Sequence, residues 1–138
     1  NFLDVWRIEN DVKRQLPFNA RHRVLGVLSL HSPEPRWQFD VNMHSYGRQR
    51  LPDTQANPEA FRVPAFSKPY ALLSVQYTHT LGRWEIFTGC ENLFDFRQRR
   101  PILSWENPFG PYFDTSFAWG PTRGREGYIG LRFRWKKK

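Results

Sequence analysis

The sequence lacks several features that would identify an enzyme or a helical membrane protein. Its one cysteine, Cys90, excludes an internal disulfide and a cysteine metal cluster. No run of about 18 apolar residues exists, so no transmembrane helix is expected. The mean hydropathy of -0.70 argues against a large apolar interior. Helical periodicity is also missing, and we therefore predict an all-β chain.

Aromatic residues are abundant, at 17% of the 138 residues, and the net charge is +8. Many aromatic residues in a polar chain indicate surfaces on which both kinds face outward, as at interfaces with lipid, sugar or nucleic acid. The charges are scattered apart from the run Lys136–Lys138, which is more typical of solvated charges than of a binding site. A nucleic-acid surface needs basic and aromatic side chains on one face. The clearest strands separate them, so we expect no nucleic-acid partner.

Eleven prolines divide the chain, because proline cannot donate to a strand ladder and marks loops and edges. The connections between the proline-free segments alternate between long and short, as in antiparallel up-and-down barrels of outer membranes. The segments predict six strands: Phe2–Asn10, His22–His31, Trp37–Tyr46, Tyr70–Leu81, Arg83–Leu93 and Arg125–Trp135.

Apolar and polar residues alternate within most of these segments. In the last one, Ile129 and Leu131 share a face, and Tyr128 and Arg132 share the other. A one-residue slip of register would exchange the faces. In a membrane it would turn Arg132 towards lipid, at a cost of about 2–4 kcal/mol near the midplane. The segment Phe2–Asn10 has no alternation that orients it.

Three tryptophans, Trp37, Trp84 and Trp135, fall at the same predicted end of their strands, beside the short turns. An aromatic girdle at a membrane interface occupies such a position. A soluble sandwich has the same alternation with its apolar faces turned inward. The alternative is therefore a soluble β-domain that binds a polar ligand, such as a carbohydrate, through aromatic loops.

Enzymatic chemistry has no support in the sequence. The four histidines lack metal-binding spacing such as H-E-x-x-H. Cys90 has no histidine near it in sequence and falls on an apolar face, which makes a thiol nucleophile unfavourable. The carboxylates are scattered and mark no acid/base pair. We predict no catalytic residue, no metal site and no cofactor.

The C-terminal strand reads Y-I-G-L-R-F-R-W over Tyr128–Trp135. Gly130 is followed three and five residues later by Phe133 and Trp135, and this pattern resembles the signal read by the barrel assembly machinery. Phe133 and Trp135 share a face on which both would meet lipid, while Gly130 lets a neighbour approach closely. The chain departs from the pattern in the three lysines that follow.

Further upstream the chain resembles TonB-dependent receptors of the bacterial outer membrane. G-C-E-N-L-F-D over Gly89–Asp95 is similar to a common segment of that family. The run Phe113–Arg125 resembles the lead-in to the family's last strand, and L-P-F-N-A-R-H over Leu16–His22 resembles the entry to an earlier one. The resemblance implies a 22-stranded barrel with a plugged lumen, of which residues 1–138 would supply about the last six strands. The plug and the TonB-contacting segment would be absent from this chain.

The resemblance also implies partners and a ligand. The partners would be the lipid bilayer, the remaining barrel and plug of the same receptor, the barrel assembly machinery, and TonB through the missing N-terminal part. The transported nutrient would be a ferric siderophore, cobalamin or a glycan. The long loops Gly47–Pro69 and Phe94–Gly124 would face outward. In the second loop the candidate ligand contacts are Trp105, Tyr112, Phe113 and Trp119, although packing among loops is the more ordinary role for them.

Overall fold

The chain is all-β in the computed structural model, which describes residues 6–9, 11–34 and 36–135, without the side chains of Arg7 and Glu9. The described residues contain no α-helix, and none of their helical segments is long and apolar enough to cross a membrane. A single 3₁₀ turn covers Glu59–Phe61. The strands are β1 Trp6–Glu9, β2 Val12–Gln15, β3 Arg23–His31, β4 Trp37–Tyr46, β5 Tyr70–Leu81, β6 Trp84–Glu91 and β7 Glu126–Phe133.

Strands β3 to β7 form one five-stranded antiparallel sheet in which neighbours in sequence are neighbours in space. This confirms the predicted up-and-down order, and β4 and β5 have the predicted bounds. Leu81 pairs with Trp84, so Gly82 and Arg83 form a two-residue hairpin loop. Gly82 has a φ of +63°, a conformation that glycine adopts without steric cost.

The prediction for the first strand is wrong in one respect. β1 does not join the main sheet but pairs with β2 in a separate two-stranded sheet, within the segment Asp11–Arg21 that was predicted to be a connection. Asp11 takes a left-handed φ of 59°, which lets the chain reverse between the two strands. The main sheet therefore has five strands rather than six. Residues 2–5 and 10 of the predicted strand, and Lys136–Lys138, lie outside the described residues.

The chain divides into two compact units. The sheet unit comprises Val24–His44, Ala71–Phe96 and Gly124–Lys138, and the loop unit comprises Asn1–Arg23, Ser45–Tyr70 and Arg97–Arg123. By sequence, the loop unit has thirteen Lys and Arg against seven Asp and Glu, a net charge of +6. The sheet unit has eight against six, and three of its eight are Lys136–Lys138. The basic character of the chain is therefore concentrated in the loops.

The loop unit is held by backbone pairing and buried polar side chains more than by an apolar core. Its buried apolar residues are Ala20, Leu51 and Phe117. Gln49 is paired with two other segments. It forms an antiparallel bridge with Ala20, and it exchanges hydrogen bonds of 2.8 and 3.0 Å with Ser67. Such pairing satisfies backbone groups that a loop would otherwise leave exposed or unpaired.

The turn after β6 explains the E-N-L-F-D sequence physically. Asn92 and Asp95 both take left-handed φ angles, of 49° and 54°, which their residue types tolerate better than most. The Asn92 amide closes the turn by donating to the Phe96 carbonyl at 2.8 Å and accepting from the Phe96 N–H at 3.0 Å. The Asp95 carboxylate accepts from the Arg125 N–H at 2.8 Å, just before β7. The Asn92 side chain therefore caps this turn.

Candidate functional site

The main sheet has one apolar face and one polar face. Residues directly paired across antiparallel strands point to the same side, so the registers of β5, β6 and β7 assign each side chain to a face. The apolar face carries Val75, Tyr77, His79, Leu81, Trp84, Ile86, Thr88, Cys90, Gly127, Ile129, Leu131 and Phe133. The polar face carries Gln76, Thr78, Thr80, Glu85, Phe87, Gly89, Glu91, Glu126, Tyr128, Gly130 and Arg132. The predicted alternation in these three strands is confirmed.

The exposure of the two faces is the reverse of that in a soluble protein, where the apolar face of a sheet is buried and the polar face is exposed. On the apolar face Ile129 is 78% exposed and Leu131 is 67% exposed, whereas on the polar face Thr78 and Glu85 are buried. The strand β3 exposes apolar residues on both of its sides, in keeping with its mixed pattern. A large apolar surface of this kind marks an interaction with protein or lipid.

Glu85 is the most enclosed charge of the polar face, at 7% exposure. Its carboxylate accepts hydrogen bonds from Arg132 at 3.2 Å and from Arg134 at 2.9 Å. Removing a carboxylate from water is costly unless it is paired, and the two guanidinium groups supply that pairing. Tyr128 extends the same polar row by donating from its hydroxyl to Gln76 at 2.9 Å.

Two aromatic rings on the polar face lie over glycines of the neighbouring strand. A Cβ atom on Gly130 would fall 2.6 Å from Cε2 of Phe87, and a Cβ on Gly89 would fall 2.7 Å from the Val75 carbonyl oxygen, with the Tyr128 ring equally close. The expected close approach at Gly130 is confirmed, and the neighbour is Phe87. This contact also explains why Phe87 lies among the charged residues of β6.

The three predicted girdle residues lie at one end of the sheet. Trp84 pairs with Phe133, and the Thr80 N–H donates to the Arg36 carbonyl at 2.7 Å, which brings the start of β4 to the same end. The rings form a row, with centroids 4.8 Å apart between Trp84 and Phe133 and 6.0 Å apart between Phe133 and Trp135. Trp37, Trp84 and Trp135 are all exposed.

Among the predicted assembly-signal residues, Tyr128 and Gly130 belong to the polar face. Phe133 belongs to the apolar face, and its ring contacts that of Trp135. Phe133 and Trp135 are therefore exposed, and Gly130, which precedes them, leaves room for the Phe87 ring of the neighbouring strand.

In the loop unit, Gln98 fixes the segment that carries Trp119. Its side-chain amide donates to the Phe117 carbonyl at 2.6 Å, and its carbonyl accepts from the N–H groups of Trp119 and Gly120 at 2.9 and 3.1 Å. The Trp119 carbonyl in turn accepts from the Gln49 amide at 3.2 Å. The buried Gln98 side chain thus satisfies three backbone groups of residues 117–120.

The four predicted ligand contacts divide into two pairs. Tyr112 stacks on Phe61 with ring centroids 4.7 Å apart, and Trp119 packs on Tyr70 at 5.8 Å, so both rings pack within the loop unit. Trp105 is 62% exposed and Phe113 is also exposed, so these two remain accessible to a ligand.

Sequence reasoning missed three features of the loop unit. The first is the exposed ring of Phe109, at 99%, in a turn in which the Gly110 N–H donates to the Asn107 carbonyl at 3.0 Å. The second is Gln98, which sits in a run of arginines that gives no signal for burial. The third is the stacking of Tyr46 on Tyr70 at 4.8 Å, which joins residues distant in sequence.

Across residues 6–9, 11–34 and 36–135, no group of three or more His, Cys, Asp or Glu side chains could hold a metal ion. Comparisons of this chain with protein-family models, with curated proteins and with solved structures found no match. The function must therefore be argued from the geometry of the sheet and the loops.

Proposed function

We propose that the chain forms the C-terminal part of the transmembrane barrel of a TonB-dependent receptor, which imports a scarce nutrient across the bacterial outer membrane. The observation that carries the proposal is the reversed polarity of the sheet. Many of its apolar side chains are exposed, whereas the buried side chains of its described strands, Thr78 and Glu85, are polar. Lipid on one side and a polar lumen on the other require that arrangement.

The lengths of three strands and the aromatic residues at one end of the sheet support the same proposal. A membrane-spanning strand needs about 9–11 residues, and β3, β4 and β5 have nine, ten and twelve. The aromatic row at Trp84, Phe133 and Trp135 would lie at the interface beside the short turns. The loop unit would face the medium.

A five-stranded sheet has two edges whose backbone groups hydrocarbon cannot satisfy. β3 and β7 would therefore pair with the remaining strands of a closed barrel, 22 in the family. The polar face, with Glu85 and its two arginines, would face the lumen and its plug. Tyr128, Gly130, Phe133 and Trp135 would be read by the barrel assembly machinery, and TonB would act through an N-terminal part of the receptor.

The transported ligand belongs to the class of ferric siderophores, cobalamin or glycans. Its contacts would come from the accessible aromatic rings Trp105 and Phe113, with Phe109 beside them. A soluble β-domain that binds a carbohydrate through the same rings is the competing function. The two differ in what surrounds the apolar face.

Substitution of Ile129 by lysine distinguishes the two functions. Ile129 pairs with Thr88 near the middle of β6 and β7 and is largely exposed. In lipid, Ile129→Lys should lower the free energy of unfolding by about 2–4 kcal/mol. In a soluble domain the same change at an exposed site should stay within about 0.5 kcal/mol. The measurement is urea unfolding of the purified full-length protein in phospholipid vesicles, with fractionation of outer membranes in parallel.

Glu91→Lys is the matched control, because Glu91 lies on the neighbouring strand β6, is exposed, and belongs to the polar face. It should leave stability and membrane location nearly unchanged. Equal stability of the Ile129→Lys and Glu91→Lys variants, with both proteins in the soluble fraction, would exclude the receptor and leave the soluble domain.

A further inference from the structure

The loop unit contains a cavity of about 460 Å³, a size typical of small-molecule sites. Arg21, His22 and Arg48 supply its polar wall, and Phe66 and Pro69 supply apolar surface. No carboxylate lines it in the part of the chain that the structure describes. All of these residues belong to the loop unit, so the cavity lies within that unit.

Backbone pairing brings the two arginines together. Ala20 and Gln49 form an antiparallel bridge, and the Gly47 N–H donates to the His22 carbonyl at 2.9 Å. This pairing sets Arg21 opposite Arg48. Like charges directly opposite each other destabilise a pair of strands, and an anion between them would remove that cost.

Neighbouring interactions hold this arrangement in place. The Phe18 N–H donates to the Arg50 carbonyl at 2.9 Å, and the Arg50 guanidinium donates to the Gln15 carbonyl at 2.9 Å. The Arg21 guanidinium lies 5.3 Å from the centre of the Trp6 ring, which orients it without neutralising it. The described residues offer neither Arg21 nor Arg48 a carboxylate within ion-pairing distance.

We propose that this cavity binds the carboxylate or phosphate group of a small molecule whose apolar part lies against Phe66 and Pro69. Guanidinium groups bind both kinds of oxyanion through paired hydrogen bonds. The net charge of +6 on the loop unit would attract such a ligand from solution. The inference rests on the proposed function only in identifying this molecule with the transported nutrient.

The test is calorimetric titration of the detergent-purified protein with benzoate, phenyl phosphate and the neutral analogue benzyl alcohol. Benzoate or phenyl phosphate should bind saturably, and at least tenfold more tightly than benzyl alcohol. Arg48→Gln should weaken that binding by about tenfold, as expected for loss of a charged hydrogen-bonding partner. Arg48→Lys should fall between the two, because it keeps the charge but loses the paired geometry.

Arg99→Gln is the matched control, since it removes one exposed arginine from the same unit outside the cavity lining. It should bind the anions as tightly as the unchanged protein. An equal loss in Arg99→Gln and Arg48→Gln would overturn the site, because general basic charge would then explain the binding. Equal affinity for benzyl alcohol would also overturn it.

A lipid headgroup is the other source of phosphate. Binding seen only with micelles that contain phosphatidylglycerol, and not with phenyl phosphate, would overturn the small-molecule assignment. The receptor and the anion site can be refuted independently, because the Ile129→Lys comparison tests the lipid-facing sheet and does not involve anion binding. Anion binding by a soluble form of the protein would keep the site and remove the receptor.

Discussion

The contact between Gly130 and Phe87 leads to a quantitative prediction about how the last two strands hold together. A Cβ on residue 130 would lie 2.6 Å from Cε2 of Phe87, with the ring tip nearer still. The neighbours of the ring are Tyr128, whose ring centroid lies 6.4 Å away, and the Arg132 guanidinium, 5.7 Å from the centre of the Phe87 ring. Gly130→Ala should therefore displace Phe87.

The expected cost is about 1–3 kcal/mol, the usual penalty for overpacking a fitted contact. Alanine would otherwise be favourable here, by about 0.4–1 kcal/mol, because it restricts the unfolded chain. The penalty should vanish when the ring is absent. In a Phe87→Ala background, Gly130→Ala should be neutral or stabilising, which gives a coupling energy of about 1–3 kcal/mol between the two positions.

The assay is a double-mutant cycle in which urea unfolding is followed by tryptophan fluorescence of the purified full-length protein in phospholipid vesicles. Gly127→Ala serves as the control on the same strand, because a Cβ there would meet nothing closer than the Gly89 carbonyl oxygen at 3.9 Å. It should change stability by no more than about 0.5 kcal/mol, or raise it slightly. Equal effects of Gly130→Ala with and without the Phe87 ring would refute the reasoning.

Two further predictions concern the loop unit. Gln98→Leu leaves the Phe117 carbonyl and the Trp119 and Gly120 N–H groups without their partner, at a cost of about 3 kcal/mol. Limited proteolysis should then cut within Arg97–Arg123, whereas Gln55→Leu, at an exposed site, should not sensitise that segment. Deletion of Asn107–Gly120 in the full-length protein should impair nutrient uptake while the barrel still assembles, as judged by heat-modifiable migration in gels. Normal uptake by the deletion variant would exclude a role for that loop in binding.

The strands of the main sheet were predictable because their signals are local. Proline excludes itself from ladders, and alternation over eight to twelve residues identifies both the strand and its two faces. The hairpin β1–β2 was not predictable in the same way. Val12–Gln15 is short and largely charged, and its strand conformation depends on pairing with β1 after the left-handed turn at Asp11.

The loop site depended on contacts that no local pattern records. Trp105 and Trp119 are equivalent as aromatic residues in a proline-rich loop, yet one is exposed and the other packs on Tyr70. The difference arises because Gln98, twenty-one positions before Trp119, holds its backbone. Burial in an irregular segment is decided by such long-range partners, and sequence spacing carries little information about them.

By itself the sequence determined that the chain is all-β, the order of the five main strands, the bounds of β4 and β5, and which side chains share a face, since backbone sterics and side-chain alternation act within each strand. Only the tertiary structure decided which of those faces is exposed, because alternation is the same whether apolar residues point inward or outward. It also decided that Arg21 stands opposite Arg48, and that Phe87 lies over Gly130. Both depend on the register between segments, which is set by hydrogen bonds between backbones that are distant along the chain.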